Sequence, residues 1–591
     1  MPAFRSTLSN KIKLFLPHAL AYRREIAIGV AALLLTDLAG LAIPWFFKLA
    51  VDLLPQKPAP GVLLQYGGLL LSAAAVQGVC RFGWRQYLFG PARKIEFDIL
   101  NRLMSHFLVL DKAYYQVQKV GDLMSRATND LRAIRDFVGM GLLILVDSQV
   151  VILACLCLMV YINPRLTLYC MVPLPAISLL FYRLSGSVGR KQQIVQAHLS
   201  KITSMVQENL AGIRVLHAFV QEENEKRKFA GLNGEYIQKN LELARLYGVF
   251  TPSLIFAIGT AGLMSLWIGG KSVIAGDMTL GSFVAFNGYL TMLSWPMMGI
   301  GYVFNLTQRG LSSMARLEEI LLARPSVETA PDRETSPFRI EGGIAFRGLN
   351  FRYPDARDYC LRDIHFEIKK GSSAAIIGMI GAGKSSLVQL LPRIFESERG
   401  TVLIDGVPVQ DIPLRELRRS IGYVDQEPFL FSASIRDNIV FGRVEAGEDE
   451  IRRVVGLAGL APDLERFPDG LDTMIGERGV SLSGGQKQRL ALARALIKKP
   501  RILILDDAFS SLDAETEETV LNNIREYAIG TTTIFIAHRL SAVRGVDRIF
   551  VLERGTVVEQ GTHSELIRQD GYYRKIYKSQ ALARQMEIFM Q

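Results

Sequence analysis

The amino-acid sequence predicts a fold of two parts, an all-α transmembrane part of six helices with long cytoplasmic extensions, followed by an α/β part. Hydrophobic residues make up 49% of the 591 residues, and the mean hydropathy of +0.21 is high for a soluble protein of this size. From about residue 340, short apolar runs alternate with helical patterns, which is typical of a largely parallel sheet. A chain this long exceeds one hydrophobic core, so separate folding units are expected.

Six apolar segments in the first half are long enough to cross about 30 Å of hydrocarbon. Short links join them in pairs, and this regular pairing supports the whole set. The six segments are 26–47, 62–88, 142–162, 166–182, 249–268 and 283–304. We therefore expect a transmembrane domain over residues 1–324, a linker over 325–339 that holds a proline and a polar run, and a second domain over 340–591.

The positive charge of the chain is explained by membrane topology. The formal net charge is +11, which is compatible with a nucleic-acid partner as well as with a membrane surface. In the first half, most Lys and Arg residues lie in the first 25 residues and in two long stretches, 89–135 and 184–248. The positive-inside rule then predicts a multi-pass protein of the plasma (inner) membrane, with its N-terminus and second domain in the cytoplasm and no nucleic-acid partner. We expect no removable signal peptide, because polar and basic residues precede the first span.

The two long charged stretches are expected to continue the membrane helices as hairpins into the cytoplasm. Gly121-Asp122-Leu123 and Gly212-Ile213-Arg214 interrupt the helical patterns near the middle of each stretch. We expect the hairpins to turn at these two places, either touching another domain or remaining solvated.

Three ionisable residues lie inside or at the ends of the predicted spans: Asp37, Lys48 and Asp147. Such groups usually face the interior of a helix bundle or water, and they are candidates for function. We expect Lys48 to extend toward an interface. Asp37 and Asp147 are candidates for substrate contact, and pairing with a neighbouring helix is the alternative.

The five cysteines do not suggest a metal site or a disulfide framework, because no C-x-x-C pair occurs and four of them lie in apolar stretches. We expect these cysteines to be small, buried hydrophobic side chains. The cysteines are Cys80, Cys155, Cys157, Cys170 and Cys360.

The strongest motif is Gly378–Ser385, which fits the P-loop pattern G-x-x-x-x-G-K-[ST] between an apolar run at 374–377 and a helical pattern beginning at Ser386. In this setting backbone N–H groups surround phosphates at a helix N-terminus. Lys384 is expected to reach the β/γ-phosphates of ATP, and Ser385 to hold Mg²⁺. The residues expected at the nucleotide from this motif are Gly378, Gly381, Gly383, Lys384, Ser385 and Ser386.

Two further elements accompany the P-loop. The apolar run 502–505 ends in Asp506, a carboxylate expected to hold Mg²⁺ opposite Ser385. Leu482-Ser483-Gly484-Gly485-Gln486 is more specific. With it, the chain resembles the ABC transporter ATPases, and the six preceding spans resemble those of exporter half-transporters, in which a membrane half precedes the ATPase half.

The resemblance implies roles for further residues. Tyr353 matches the aromatic residue that stacks on adenine, Gln426 the glutamine that senses Mg²⁺, and His538 the switch histidine. Glu477 matches a cross-talk loop of exporters, and Ser511-Leu512-Asp513 the loop that links two nucleotide sites. The regions near Gly121 and Gly212 then resemble the segments that couple the membrane half to the ATPase half.

The family pattern also implies a dimer. In the family, one chain's P-loop closes on ATP against the other chain's signature, so Ser483, Gly484, Gly485 and Gln486 are expected at the nucleotide held by a second half-transporter. ATP binding then joins the two halves, and hydrolysis releases them.

One residue departs from the pattern. The family normally has Glu after the strand-end aspartate, where it orients the attacking water, but this chain has Asp507. A displacement of about 1 Å can cost on the order of 100-fold in rate, so slow hydrolysis is expected at this chain's own P-loop. The chain resembles the degenerate-site subunit of heterodimeric exporters, which predicts an unlike partner with the true Glu. A homodimer in which Asp507 is the catalytic carboxylate is the alternative.

The sequence thus predicts an ATP-hydrolysing translocase that exports amphipathic drug-like or lipid-like small molecules. An ATP-gated regulatory subunit is the alternative within the family. A soluble ATPase that acts on ribosomes or DNA is disfavoured by the six spans.

Overall fold

The computed structural model describes residues 16–327, 338–354, 356–476, 481–537 and 543–579. The chain divides into two compact units. The first, called the helical unit, comprises Met1–His106 and Gly121–Leu322, and the second, called the α/β unit, comprises Phe107–Val120 and Ala323–Gln591. A helical part followed by an α/β part is the predicted fold class. The predicted domain boundaries stay a prediction, and most of the predicted linker lies outside the described residues.

The described part of the first half of the chain consists mainly of helices. In chain order its helices are α1 (Arg23–Leu53), α2 (Pro60–Phe107), α3 (Lys112–Val117), α4 (Val120–Ser125), α5 (Leu131–Asp136), α6 (Leu142–Ile162), α7 (Pro164–Met171), α8 (Pro173–Ala211), α9 (Ile213–Ala218), α10 (Glu222–Met264), α11 (Gly270–Ile274), α12 (Leu280–Met292) and α13 (Ser294–Leu322). Short π-helical turns join α4 to α5, α5 to α6 and α10 to α11.

Among the described residues, three helical stretches are long and apolar enough to cross a membrane: Arg23–Gln56, Pro60–Phe107 and Val120–Ile162. They contain the first three predicted spans. The other predicted spans fall on α7 and α8, on the end of α10 with the turn that follows it, and on α12 and α13. The count of six and the orientation in the membrane stay predictions.

The helical unit is held together by close helix contacts. Tyr289 on α12 is fully buried, and its hydroxyl donates to the backbone oxygen of Leu41 on α1 at 2.9 Å. At Gly281, a Cβ atom would lie 2.2 Å from the Lys48 backbone oxygen, so glycine permits this approach of α12 to α1. A glycine at a close approach and one buried hydroxyl thus hold α1 and α12 together.

The first predicted hairpin turn is wrong by several residues. Gly121-Asp122-Leu123 lies inside α4, and the chain turns instead between the end of α2 and the start of α4. Asp111 begins the short helix α3 there, because its carboxylate accepts from the Tyr114 backbone N–H at 3.2 Å. The second predicted turn is in place, since α8 ends at Ala211 and Gly212 follows as its cap.

The cysteines are free thiols with different surroundings. Cys155 and Cys170 are buried, as expected for small hydrophobic side chains. Cys157 is exposed, which the prediction missed, and Cys80 and Cys360 are half-buried.

The α/β unit contains two sheets. Its strands are β1 (Ile344–Phe351), β2 (Leu361–Ile368), β3 (Ser373–Gly378), β4 (Val402–Ile404), β5 (Val407–Pro408), β6 (Ile421–Val424), β7 (Ile502–Asp506), β8 (Thr532–Ile536), β9 (Arg548–Glu553) and β10 (Thr556–Gly561). Its helices after α13 are α14 (Lys384–Gln389), α15 (Leu414–Ser420), α16 (Ile435–Val440), α17 (Glu448–Leu457), α18 (Ala461–Leu464), α19 (Gly484–Leu496), α20 (Ala514–Tyr527) and α21 (His563–Arg568).

The larger sheet has the order β10-β9-β3-β8-β7-β6, and all its neighbouring pairs are parallel except β10 with β9. Strands β7 and β8 are buried along their whole length, as expected for a sheet covered on both faces. The smaller sheet, β2-β1-β4-β5, is antiparallel and was not predicted. Only β8 separates β3 from β7, so their carboxyl ends meet at one edge of the sheet.

Candidate active site

The P-loop connects β3 to α14 and depends on three glycines for different reasons. At Gly378 a Cβ atom would lie 2.2 Å from the Leu552 backbone oxygen, and at Gly383 it would lie 2.7 Å from the Leu361 side chain. Gly381 has open space, but its φ is +82°, in the region that favours glycine. The loop therefore needs its glycines for close approach and for backbone shape. The helix begins at Lys384, two residues before the predicted start at Ser386.

Lys384 is buried and lies over its own loop. Its Nζ donates to the backbone oxygens of Gly378 at 2.8 Å and Met379 at 3.0 Å. Burial lowers the pKa of Lys384, while the negative charges of Asp506 and Asp507 oppose that change. An ammonium group held this way can exchange weak carbonyl partners for phosphate oxygens, which the predicted role requires.

Ser385 and Asp506 meet at the edge of the sheet. The Ser385 hydroxyl donates to Asp506 Oδ1 at 3.1 Å, and the Tyr423 hydroxyl lies 3.4 Å from Oδ2. Burial raises the pKa of Asp506 to about 6, and the nearby charges of Asp425 and Asp507 add to this, against the hydrogen bond from Ser385. A carboxylate destabilised by burial and like charges is well placed to gain from a cation.

This oxygen pair fits Mg²⁺. A hydroxyl and a carboxylate are hard oxygen donors, and Mg²⁺ is usually bound by one or two carboxylates together with substrate phosphates and water. Within the described ranges, no cluster of three or more His, Cys, Asp or Glu side chains could hold a metal by itself. Ser385 and Asp506 would therefore hold the ion only as part of a nucleotide complex.

Asp507 follows β7 in an uncommon backbone conformation. Its φ is +48°, a region sparsely populated by residues other than glycine. Its backbone N–H donates to the Ile536 oxygen at 2.9 Å, which ties it to the end of β8. The half-buried Asp507 thus stands beside Asp506 at the end of β7, and its catalytic role stays a prediction.

Tyr353 packs more closely into the α/β unit than the predicted adenine platform implies. Its ring packs edge-on against the rings of Phe351 and Phe395, with distances between ring centres of 5.1 Å and 5.0 Å. Its hydroxyl shares a hydrogen bond of 2.8 Å with Ser386 Oγ, to which the Cys360 thiol also donates at 3.4 Å. Burial raises the pKa of Tyr353. Tyr353 is therefore joined to the P-loop helix, and stacking on adenine stays a prediction.

The remaining predicted site residues are Gln426, His538 and Glu477. Gln426 is exposed just after β6, and its backbone N–H donates to Asp425 Oδ1 at 2.9 Å. His538 and Glu477 lie outside the described residues, so their predicted roles stay predictions.

The signature residues form the N-terminus of α19. Ser483 caps the helix, since its hydroxyl accepts from the Gln486 backbone N–H at 3.2 Å and Gln486 Oε1 accepts from the Ser483 N–H at 2.9 Å. The Gln486 amide also donates to Asp463 at 2.9 Å, and Arg489 forms an ion pair with the same carboxylate at 2.8 Å. Gly484 and Gly485 lie against Ser511.

Among the described residues, no hydrogen bond of Ser483 or Gln486 reaches the P-loop of the same chain. Ser483 and Gly484 are exposed at the start of α19.

Sequence reasoning missed a link between the signature helix α19 and the segment that follows β7. Gln488 on α19 is 3% exposed. Its amide nitrogen donates to Ser510 Oγ at 2.9 Å and to the Asp507 oxygen at 3.3 Å, and its oxygen accepts from the Ser511 N–H at 3.0 Å. The signature helix is thereby joined to the segment that begins at Asp507. A glutamine two residues past the signature gives no sequence signal, because polar helix residues are usually solvated.

The segment Phe107–Val120 belongs to the α/β unit. Asp111 accepts hydrogen bonds from the N–H and hydroxyl of Ser326 and, at 3.3 Å, from the Val327 N–H. Burial alone would raise the pKa of Asp111, but these bonds hold it below its usual value. Lys112 Nζ lies 5.6 Å from the centre of the Phe395 ring. The first predicted coupling region thus packs into the α/β unit, through residues before Gly121.

Comparisons with known proteins agree with this arrangement. A family model described as "ABC transporter transmembrane region" matches residues 26–297, and one described as "ABC transporter" matches residues 361–510. The probable multidrug resistance ABC transporter ATP-binding/permease protein YheI of Bacillus subtilis is 36% identical over 565 residues, which cover 95% of this chain and 96% of YheI.

Two further relatives support the same assignment. The multidrug resistance-like ATP-binding protein MdlA of Escherichia coli is 34% identical over 563 residues, which cover 95% of both chains. The solved structure of a bacterial Atm1-family ABC exporter with ATP bound matches with a TM-score of 0.79 and 26% identity, over 95% of this chain and 98% of that one. The chain therefore belongs to the ABC transporter family, as an ATP-hydrolysing translocase with its transmembrane and ATPase regions fused.

Proposed function

We propose that this chain exports amphipathic small molecules across the plasma membrane as one half of a heterodimer. Two relatives are named as multidrug resistance proteins, and the structural relative is an exporter. The fused order of membrane and ATPase regions suits an exporter. The distribution of Lys and Arg supports a cytoplasmic location for the N-terminus and the α/β unit.

Asp507 carries the heterodimer proposal. Lys384, Ser385 and Asp506 stand together at the sheet edge, which supports MgATP binding by these groups. The carboxylate next to them is one methylene shorter than the family's Glu. In this proposal the site binds nucleotide with Mg²⁺ on Ser385 and Asp506, but it hydrolyses slowly.

The exposed signature supports a second chain. Ser483 and Gly484 are exposed at the start of α19, where a helix N-terminus attracts a phosphate. In the proposed dimer these residues complete the partner's site, in which the partner's P-loop and Glu perform the faster hydrolysis.

The second hairpin tip supports a partner independently. Val215, Phe219 and Val220, on and just after α9, are 60%, 70% and 79% exposed. Val220 also has a φ of +52°, which is rare for a β-branched residue. A strained, apolar surface at a hairpin tip suits contact with the ATPase region of a second half-transporter.

Uptake of a fluorescent cationic dye into inverted membrane vesicles tests the proposal. Vesicles would contain this chain alone, or this chain with a half-transporter that has Glu after its strand-end Asp. We expect ATP-dependent uptake only with the pair, and loss of uptake when the partner's Glu is replaced by Gln. Equal uptake by this chain alone would establish the homodimer instead. Absence of uptake with active nucleotide hydrolysis by the pair would refute export of this class of substrate.

A further inference from the structure

The connection between β1 and β2 packs against the P-loop. Tyr353 lies two residues after the end of β1, and Cys360 immediately precedes β2. The Cys360 backbone N–H donates to the Phe351 oxygen at 2.8 Å, which closes the connection at its base. At Gly383, a Cβ atom would lie 3.1 Å from the Cys360 backbone oxygen and 3.6 Å from its Sγ atom. Cys360 therefore lies directly beside the P-loop glycine that precedes Lys384.

Two side chains of this connection converge on one hydroxyl group. Ser386 is 7% exposed, and its Oγ atom lies 2.8 Å from the Tyr353 hydroxyl and 3.4 Å from Cys360 Sγ, whose thiol donates to it. Tyr353 is half-buried, and its ring packs against the rings of Phe351 and Phe395. Because the ring is braced on two sides, its hydroxyl can hold Ser386 Oγ in one orientation.

The hydrogen-bonding capacity of Ser386 decides what its hydroxyl can still do. A serine hydroxyl donates one hydrogen bond and accepts two. When both Tyr353 and Cys360 donate to Ser386, both acceptor positions are used and the single proton of Ser386 is left for a third group. Ser386 lies two residues after Lys384, in the motif that is expected to hold phosphates. A proton left free there can be donated to a phosphate oxygen.

We propose that Tyr353 and Cys360 are positioning residues of the nucleotide site, which direct the Ser386 proton toward a phosphate oxygen of the nucleotide. This role differs from the predicted stacking on adenine, because it depends on the Tyr353 hydroxyl and not on the ring. The inference rests on the proposed MgATP binding at the P-loop, and it is independent of the heterodimer and of the substrate. The alternative is a structural bond that only fastens the β1–β2 connection to α14.

MgATP binding to the purified full-length chain in lipid nanodiscs, measured by titration calorimetry, tests the role of the Tyr353 hydroxyl. Tyr353→Phe keeps the ring and its packing, so stacking on adenine alone predicts unchanged affinity. We expect Tyr353→Phe to weaken MgATP binding by about 3- to 10-fold, because the Ser386 hydroxyl loses one of the groups that orient it. Tyr359→Phe is the matched control and is expected to bind as wild type, because Tyr359 belongs to the same connection but is 51% exposed.

A double-mutant cycle shows whether the Tyr353 hydroxyl acts through Ser386. Ser386→Ala removes the hydroxyl that both neighbours contact, so it is expected to weaken MgATP binding at least as much as Tyr353→Phe does. In the Ser386→Ala background, we expect Tyr353→Phe to change the affinity by less than about twofold.

Two substitutions of Cys360 test the second donor. A thiol is a weak hydrogen-bond donor, so Cys360→Ala is expected to weaken MgATP binding by only about two- to threefold. Cys360→Ser is expected to restore wild-type affinity, because its hydroxyl can also donate to Ser386. Unchanged affinity in Cys360→Ala would exclude Cys360 from the proposed role.

The melting temperature of each variant without nucleotide separates positioning from fastening. A bond that only fastens the connection lowers the melting temperature of Tyr353→Phe and leaves its MgATP affinity unchanged, and this result would overturn the inference. Independent losses of affinity from Tyr353→Phe and Ser386→Ala, which multiply in the double variant, would overturn it as well. Failure of the wild-type chain to bind MgATP would refute the proposed function of the P-loop itself, and is thereby distinguished from both results.

Discussion

Replacing Gln488 by Leu removes the link between the signature helix α19 and the segment that begins at Asp507. The two side chains have similar volume, and the position is almost fully buried. The substitution therefore deletes hydrogen bonds without creating a cavity. The N–H of Ser511 loses its acceptor at 3.0 Å, and the hydroxyl of Ser510 loses the amide that contacts it at 2.9 Å.

The cost follows from these contacts. A typical hydrogen bond contributes about 0.5–1.5 kcal/mol net, and water can replace the lost partner at Ser510 and Ser511, because both residues are exposed. We therefore expect the segment from Asp507 to Asp513 to lose about 1–3 kcal/mol of local stability. Because a domain's total stability is about 5–15 kcal/mol, the variant is expected to fold.

Hydrogen exchange measured by mass spectrometry tests this local loss. A cost of about 1–3 kcal/mol corresponds to about 5- to 150-fold faster exchange of the amides in this segment. Lys487→Leu is the matched control, because Lys487 is the exposed neighbour on the same helix. Unchanged exchange after Gln488→Leu would refute the reasoning, as would an equal increase across the whole α/β unit.

Two further predictions concern the P-loop and the metal site. Gly378→Ala places a Cβ atom 2.2 Å from a backbone oxygen of β9 and should abolish MgATP binding. Gly381→Ala has open space but a φ of +82°, so it should weaken MgATP binding by about tenfold or less. Equal losses of binding in the two variants would contradict the steric account. Because the pKa of Asp506 is raised to about 6, its charged form is lost as the pH falls through 6, so Mg²⁺-dependent nucleotide affinity should fall there. Asp506→Asn should remove that part of the pH profile, and identical profiles for wild type and variant would contradict it.

The sequence was informative wherever a pattern has a strict physical cause. Three features were predicted from such patterns: the P-loop, the strand that ends in Asp506, and the alternation of strands with helices. Each depends on a backbone geometry that only certain residue types allow. The turn at Gly121 was predicted wrongly, because glycine permits a helix to end without requiring it. At the observed turn, Asp111 caps α3. Asp111 also accepts a hydrogen bond from Ser326, which lies more than 200 positions later in the chain.

Contacts between distant residues account for the other gaps. Gln488 and Asp463 are polar residues on helices, and only the tertiary fold shows that each is buried against the signature or the segment after β7. Two strands of the antiparallel sheet, β4 and β5, are only three and two residues long, shorter than any periodicity that a sequence can reveal.

ATP turnover by the purified chain alone, in wild type and Asp507→Glu, tests the proposed weak site most directly. The account predicts slow turnover by the wild-type chain and an increase of up to about 100-fold when the methylene is restored. Lys384→Ala in the same preparation measures the background. Rapid turnover by the wild-type chain that Asp507→Glu leaves unchanged would contradict the weak site and favour a homodimer with Asp507 as its catalytic carboxylate.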